Sequence, residues 1–324
     1  MATTIFAYIP HKSGKADDTA VELTVAAQKI DPNAAVTAVV IGSGVDAVCN
    51  EAAAFYKEVW KIDNSALSYP NTEVIRPLLA KILPPKSILL VPHNTFGMDL
   101  SPGLSVKLDS AFVSDVVGIE GLDNGKLKLI RQEYSGMVST HILCDISGGA
   151  VINIRAGAFQ PEYGKSAAGG QVIDKTGQAG DIPKPARRFL EIKEAEKGDV
   201  DITKSEILVS VGRGIGDQDN LQIIHDLAKA MRGEVACSRP IVDAKWLEKA
   251  RQVGTSGQTV KPKIYIALGI SGAFQHIGGI KGAPFMVAVN KNPKAPIFQF
   301  ADVGIVADIL EFIPELTEKI NKAK

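Results

Sequence analysis

From Ile207 onward the sequence alternates short apolar runs with helix-length segments: ILVSVG, NLQIIHDLAKAMRG, EVACS, VDAKWLEKARQVG, IYIALG, AFQHIGGIKG, FMVAVN, and a final helical region from Ile305 to Ile320. Short apolar strands separated by helices pair in parallel through right-handed crossovers. Four successive βα units therefore predict a doubly wound parallel sheet covered on both faces. In such a sheet ligands bind beyond the carboxyl ends of the strands, where loops and helix N-termini converge. Polar or cationic residues stand at four consecutive strand ends: Arg213 after the first, Ser238 and Arg239 after the second, Ser271 after the third and Asn290 after the fourth. Together they read as one crevice for an anionic, phosphorylated molecule.

The first half has the same βαβ rhythm, with TIFAYI, AVTAVVIG and SILLVPHN as strands and helices around Val21 to Lys29, Asp46 to Tyr56 and Val74 to Ile82. After about Gly121 the pieces KLKLIRQEY, MVSTHILCDI and AVINIRAG lie between Gly and Asn turns and read as antiparallel hairpins appended to that domain. The charged, weakly apolar FLEIKEAEKGDVDITKSE then follows the Pro-rich DIPKPARR. A chain of 324 residues, at roughly 150 per domain, is long enough for two. The expected layout is an N-terminal α/β domain over 1–195, a linker over 196–204 and a parallel-sheet domain over 205–324.

Thirty-six basic residues balance 36 acidic ones, so bulk charge recruits neither nucleic acid nor an anionic membrane. No apolar run approaches the roughly 20 residues of a membrane span, and MATTIFAYIP lacks the basic and apolar regions of a signal peptide. Cys49, Cys144 and Cys237 are far apart, and no His stands at metal-ligand spacing, which suits a reducing compartment and no structural metal. The expectation is a soluble bacterial cytoplasmic protein without membrane insertion, or a mitochondrial matrix protein if a presequence has been removed.

Two motifs invite other readings. GRGIGD resembles a dinucleotide-binding turn, which would make the chain an NAD-dependent dehydrogenase, but its sixth position is Asp217 where close helix packing needs Gly. Asp217 and Asp219 suit helix capping instead. GISGA, from Gly269 to Ala273, resembles the nucleophile elbow of a serine hydrolase, yet His276 is the last histidine and no acid-then-His order follows. Ser271 reads better as a hydroxyl donor than as a nucleophile. His276 shares the strand-end crevice, where ligand contact and structural hydrogen bonding are both open to it. At Arg239 a planar guanidinium could stack on an aromatic ring or face a developing negative charge.

Taken together, GRGIG, ACSRPIVDAKW, RQVGTSGQTVKPKIYIALGISGAFQHIGGIKG, VAVNKNP and APIFQFADVGIVADI resemble the FAD-binding domain of the electron-transfer flavoprotein alpha subunit, almost continuously from Glu206 to Leu310. The first half fits that family in layout, including PHNTFGMDLSPGLSVKL at a strand end. The resemblance implies that Arg239 lies over the isoalloxazine ring with Ser238 beside it, and that Val253, Gly254, Thr255 and Ser256 form a loop whose Ser256 reaches toward flavin N5. It implies that Ser271, Gly272, Ala273, Phe274, Gln275 and His276 wrap the ribityl chain and pyrophosphate, with His276 near N1 and the C2 carbonyl. Asn290, Asp308 and Ile309 would surround the adenosine half, and Arg213 would sit at the rim. Arg239, His276 and the amides after Ser271 would stabilise an anionic flavin semiquinone. Thr255 departs from the Gln common in the family, and a short hydroxyl cannot make the same amide contacts.

The same resemblance implies a heterodimer with a beta subunit that holds AMP or a second FAD. The expected function is to carry electrons from flavoprotein dehydrogenases, such as the acyl-CoA dehydrogenases of fatty acid β-oxidation, to a membrane quinone oxidoreductase, without substrate chemistry of its own. The alternative is the alpha subunit of an electron-bifurcating, NADH-oxidising flavoprotein.

Overall fold

The computed structural model describes residues 4–134, 138–159, 169–191, 200–280 and 284–323. The chain divides into two compact units, residues 1–190 and 191–324. Of the expected linker, residues 196–199 lie outside the described residues. Ile202–Lys204 already form a 3-10 turn, with Asp201 accepting from the Thr203 amide. Ile202 is buried in the core of the second unit.

The first unit is built on strands β1 (Ile5–Tyr8), β4 (Val36–Gly42), β5 (Glu58–Asp63) and β6 (Ile88–Pro92), with a two-residue-per-strand hairpin, β2 and β3 (His11–Lys12 and Lys15–Ala16), after β1. Helices α1 (Thr19–Ile30) and α2 (Asp46–Ala52) cover one face, and α3 (Thr72–Ile82) and α4 (Thr95–Leu108) the other. Strands β7 (Ala111–Asp123), β8 (Lys126–Glu133), β9 (Val138–Asp145), β10 (Ala150–Ile154) and β11 (Gln171–Asp174) complete a nine-stranded sheet in the order β11-β5-β4-β1-β6-β10-β7-β8-β9; α5 (Thr176–Ala179) follows β11.

The expected antiparallel addition is real for β8, which pairs antiparallel with β7, and for β9, which pairs antiparallel with β8. It is wrong for AVINIRAG. That segment is β10, which runs parallel to both β6 and β7 inside the sheet. Its five residues are all buried, the pattern of a strand covered on both faces. PHNTFGMDLSPGLSVKL holds a 14-residue helix that Gly97, Pro102 and Gly103 conceal from a propensity reading. Its Asn94 cap accepts from the Gly97 amide.

The second unit is the predicted parallel sheet. Strands β12 (Ile207–Val211), β13 (Glu234–Cys237), β14 (Ile264–Leu268), β15 (Phe285–Val289) and β16 (Val303–Ile305) pair in the order β13-β12-β14-β15-β16, parallel throughout. Val209, Val211, Ile266 and Leu268 face one core with α6 (Leu221–Met231) and α9 (Ile309–Lys322). Their alternate neighbours Leu208, Tyr265, Ala267 and Ala288 face a second core. Among the described residues that second face is covered by Val253 and Val260 from irregular segments and by Ile277 and Ile297 from short helical turns.

Three expected helices are corrected accordingly. VDAKWLEKARQVG contributes only the end of the five-residue α7 (Arg239–Asp243) and a 3-10 turn at Lys249–Arg251, because Lys245 takes a left-handed φ of 61°. AFQHIGGIKG shrinks to the single turn α8 (Phe274–Ile277) before Gly278 and Gly279; residues 281 and 282 lie outside the described residues. The final helix begins at Ile309 rather than Ile305, which belongs to edge strand β16.

Candidate functional site

In the second unit the strand order reverses between β12 and β14, since β13 lies to one side of β12 and β14, β15 and β16 to the other. Loops leaving adjacent strands at such a point open a crevice. Here they are GRG after β12 and GIS after β14. Their glycines serve close backbone packing: a Cβ on Gly212 would meet the Gly269 carbonyl at 2.5 Å, and one on Gly214 would meet the Gly269 Cα at 2.6 Å. The Gly214 amide donates to the Gly269 carbonyl at 3.0 Å. Two 3-10 turns intervene before α6, and Asp217 caps the second through the Asp219 amide. GRGIG thus fixes one loop against another and opens no helix for a pyrophosphate.

The other walls are held as firmly. The Asn290 side-chain amide donates to the Ile270 carbonyl at 2.9 Å, and the Ile297 amide to the Ser271 carbonyl at 3.0 Å. Gly272, at φ +87°, sits against the Ile297 backbone with no room for a Cβ. The loop from Val253 to Gly257 is tied to the turn from Phe274 to Gly279. The Thr255 amide donates to the Gln275 carbonyl at 2.7 Å, and a Cβ on Gly279 would lie 2.3 Å from the Gly254 nitrogen. At its other end the Val253 amide donates to the Cys237 carbonyl, next to Ser238 and Arg239.

The anticipated site residues fall into two groups. Arg213, Arg239, Thr255, Ser256, Ser271, Ala273, Phe274, Gln275 and Asp308 are exposed, and Asn290 is half-buried. Ser238, Val253, Gly254, Gly272, His276 and Ile309 are buried and shape the walls. Arg239 is exposed and lies 3.3 Å from Asp243, one helical turn on, a solvent-screened pair that leaves the guanidinium available. Ser256 Oγ takes the Gln252 amide hydrogen at 3.0 Å, so its own hydrogen can point outward. Asp308 caps α9 by accepting from the Leu310 amide at 2.9 Å.

His276 is only 6% exposed. Its Nδ1 lies 3.1 Å from the Val253 carbonyl and its Nε2 2.8 Å from the Tyr265 hydroxyl. A carbonyl can only accept, so Nδ1 carries the hydrogen and Tyr265 donates to Nε2. Burial pushes the imidazole down to about 4, with the Val253 carbonyl pulling weakly the other way. With both nitrogens engaged, His276 cannot serve Ser271 as a base, which removes the hydrolase reading. Burial also pushes the Cys237 thiol up to about 12, so no thiolate stands beside the crevice.

Sequence reasoning missed Tyr265 and Gln252, the buried partners of His276 and Ser256. A tyrosine inside the apolar strand IYIAL was a usable signal, since a buried phenol needs a partner. Among the described residues no group of three or more His, Cys, Asp or Glu side chains could hold a metal, and no helix is long and apolar enough to cross a membrane.

Two family descriptions match this chain: the electron transfer flavoprotein domain over residues 5–180, and the electron transfer flavoprotein FAD-binding domain over residues 201–281. An electron transfer flavoprotein subunit alpha of Thermoanaerobacterium thermosaccharolyticum is 35% identical over 99% of this chain and 98% of its own.

The chain belongs to the electron-transfer flavoprotein alpha family.

Among other members of this flavoprotein family, the subunit alpha of Pseudomonas aeruginosa is 34% identical over 87% of this chain and 89% of its own. The lactate dehydrogenase (NAD(+),ferredoxin) subunit LctC of Acetobacterium woodii is 33% identical over 78% of this chain and 59% of its own. The FAD-binding match contains Arg213, Arg239, the 253–256 loop and the 271–276 segment. Asn290, Asp308 and Ile309 lie beyond it, within the span shared with the Thermoanaerobacterium subunit.

Proposed function

We propose that the crevice at the ends of β12 and β14 holds FAD and that the chain is the electron-carrying alpha subunit of a heterodimer. The observation that carries this reading is the exposed set Arg213, Arg239, Thr255, Ser256, Ser271 and Gln275 on loops locked together by glycine packing. Cationic guanidiniums, hydroxyls and an amide suit a ligand that joins phosphates, a polyol and a polar ring. Of the nearby carboxylates, Asp308 caps α9 and Asp243 lies against Arg239.

When bound, FAD supplies one-electron redox chemistry, and the protein binds, orients and electrostatically tunes it. Arg213, Ser271 and Gln275 would hold the phosphate and ribityl portions, with Gly272, Ala273 and Phe274 forming their bed. Arg239 and Ser238 would stand at the ring, and Ser256, on the Val253–Gly254–Thr255 loop, would donate a hydrogen bond to it. Asn290, Asp308 and Ile309 would border the adenosine half. A planar, permanently charged Arg239 favours negative charge gained by the ring. Val253 and Ile270 belong to the buried apolar core behind these loops.

The partner in this reading is a beta subunit carrying AMP or a second FAD, the donors are flavoprotein dehydrogenases of the acyl-CoA type, and the acceptor is a membrane quinone oxidoreductase. A bifurcating, NADH-oxidising role is the second reading, favoured by the likeness to LctC, whose name joins NAD and ferredoxin. Co-expression with the beta subunit tests the proposal. Bound FAD should give flavin absorbance, and NADH alone should not reduce it in a simple shuttle. A colourless heterodimer that stays colourless with added FAD would overturn the assignment.

A further inference from the structure

We propose that Gln252 is a positioning residue of this crevice: its buried side-chain amide donates to Ser256 Oγ and so presets that serine as a hydrogen-bond donor toward the ring of a bound flavin. The inference rests on the FAD reading of the site and adds to it the residue that fixes the sense of the Ser256 hydroxyl.

Gln252 is 4% exposed, whereas Ser256, four residues on, is exposed. The backbone of Gln252 is engaged on both sides. Its amide donates to the Lys249 carbonyl at 3.1 Å, and its carbonyl accepts from the Gln258 amide at 2.7 Å. Gly257 closes the loop over it: a Cβ there would lie 2.3 Å from the Gln252 carbonyl oxygen and 2.9 Å from its Cγ. The side chain is thus placed before a ligand arrives, and its ordering cost falls on folding rather than on binding. From that base Nε2 reaches Ser256 Oγ at 3.0 Å.

A hydroxyl has one hydrogen to give and two lone pairs, whereas an amide nitrogen can only give. At this contact Gln252 therefore donates and Ser256 accepts, which turns the serine hydrogen away from the amide and toward the open side of the loop. A serine with only water around it samples both senses; this one is held as a donor. As a ring takes an electron its acceptor atoms become more negative, and a donor already in place strengthens without reorganising. Thr255 beside it is held differently, with its amide on the Gln275 carbonyl at 2.7 Å and its Cγ2 methyl 2.8 Å from where a Cβ on Gly278 would fall.

A double-mutant cycle on the heterodimer with FAD tests the proposal. Ser256→Ala should lower the equilibrium constant for adding the first electron by about fivefold, the worth of one hydrogen bond. Gln252→Leu should show part of that loss in the wild-type background and no further loss in the Ser256→Ala background. Equal shifts of the first reduction potential in both backgrounds would reduce Gln252 to a packing residue and overturn the proposal, as would an unchanged potential in Gln252→Leu. A second readout needs no flavin. In the heterodimer labelled with 15N-glutamine, the bonded proton of the Gln252 side-chain amide should shift upfield in Ser256→Ala. An unmoved signal would show that the amide does not donate to Ser256, and it decides the matter alone if Gln252→Leu does not fold. Flavin absorbance reports FAD binding separately, so failure of the FAD reading and failure of the Gln252–Ser256 bond are seen apart.

Discussion

Gly214 and Gly269 stand back to back, with a Cβ built on Gly269 falling 2.8 Å from the Gly214 Cα and Gly269 itself at φ +61°. The contact clamps the loop bearing Arg213 to the loop bearing Ser271. Gly214→Ala should push the two backbones apart, cost about 1–3 kcal/mol and weaken flavin retention. Urea unfolding of the variant, with flavin content read by absorbance, checks both. An unchanged midpoint would mean that the loops yield without strain.

Arg239 offers a charge and a plane, and the two can be separated. Arg239→Lys keeps most of the charge and loses the flat guanidinium; Arg239→Ala loses both. The first reduction potential of the bound flavin should fall in the order wild type, Lys, Ala, by spectroelectrochemical titration. Equal potentials in wild type and Arg239→Ala would remove the arginine from the ring.

The second unit was legible because its strands are uninterrupted apolar runs and its polar residues sit at their ends; Arg213, Arg239 and Ser271 emerge from that pattern alone. What the sequence concealed was set by packing between distant segments. AVINIRAG looks like its antiparallel neighbours until its burial on both faces places it beside β6. AFQHIGGIKG carries a helical pattern, but Gly279 must lie flat against Gly254, and the helix stops after one turn. A helix of a single turn adds little dipole to the amides after Ser271. For His276, ligand contact and structural bonding could not be told apart by spacing, because the deciding partner, Tyr265, lies on another strand.

His276 should leave a mark on acid stability. Its imidazole is pushed down to about 4 in the folded chain by burial, against an ordinary value of 6.5. The unfolded chain therefore binds the proton first as pH falls, and stability drops between those two values and levels off below the lower one. The loss is on the order of 3 kcal/mol. Urea midpoints measured across that window should slope for the wild type and slope less for His276→Asn. Parallel slopes would assign the acid sensitivity to other groups.

In the first unit Asp115 holds a left-handed φ of 58° within β7 while Arg155 grips it with both arms of the guanidinium, Nε to Oδ1 at 2.8 Å and Nη2 to Oδ2 at 2.6 Å. Burial raises the Asp115 carboxyl, but the bonds and charge of Arg155, helped by His93 and Arg131, outweigh it and hold the group below its usual range. Its contribution is present above the unfolded carboxylate value and is lost as pH falls through the folded one. Breaking the pair by Arg155→Met should cost about 2 kcal/mol and flatten that acid dependence. Two substitutions at Asp115 separate bond from backbone: Ala loses the pair and keeps the strain, whereas Gly loses the pair and adopts the left-handed conformation freely. Asp115→Gly should therefore be more stable than Asp115→Ala by about 1 kcal/mol, measured by equilibrium unfolding. The reverse order would show that the strand relaxes once Arg155 lets go.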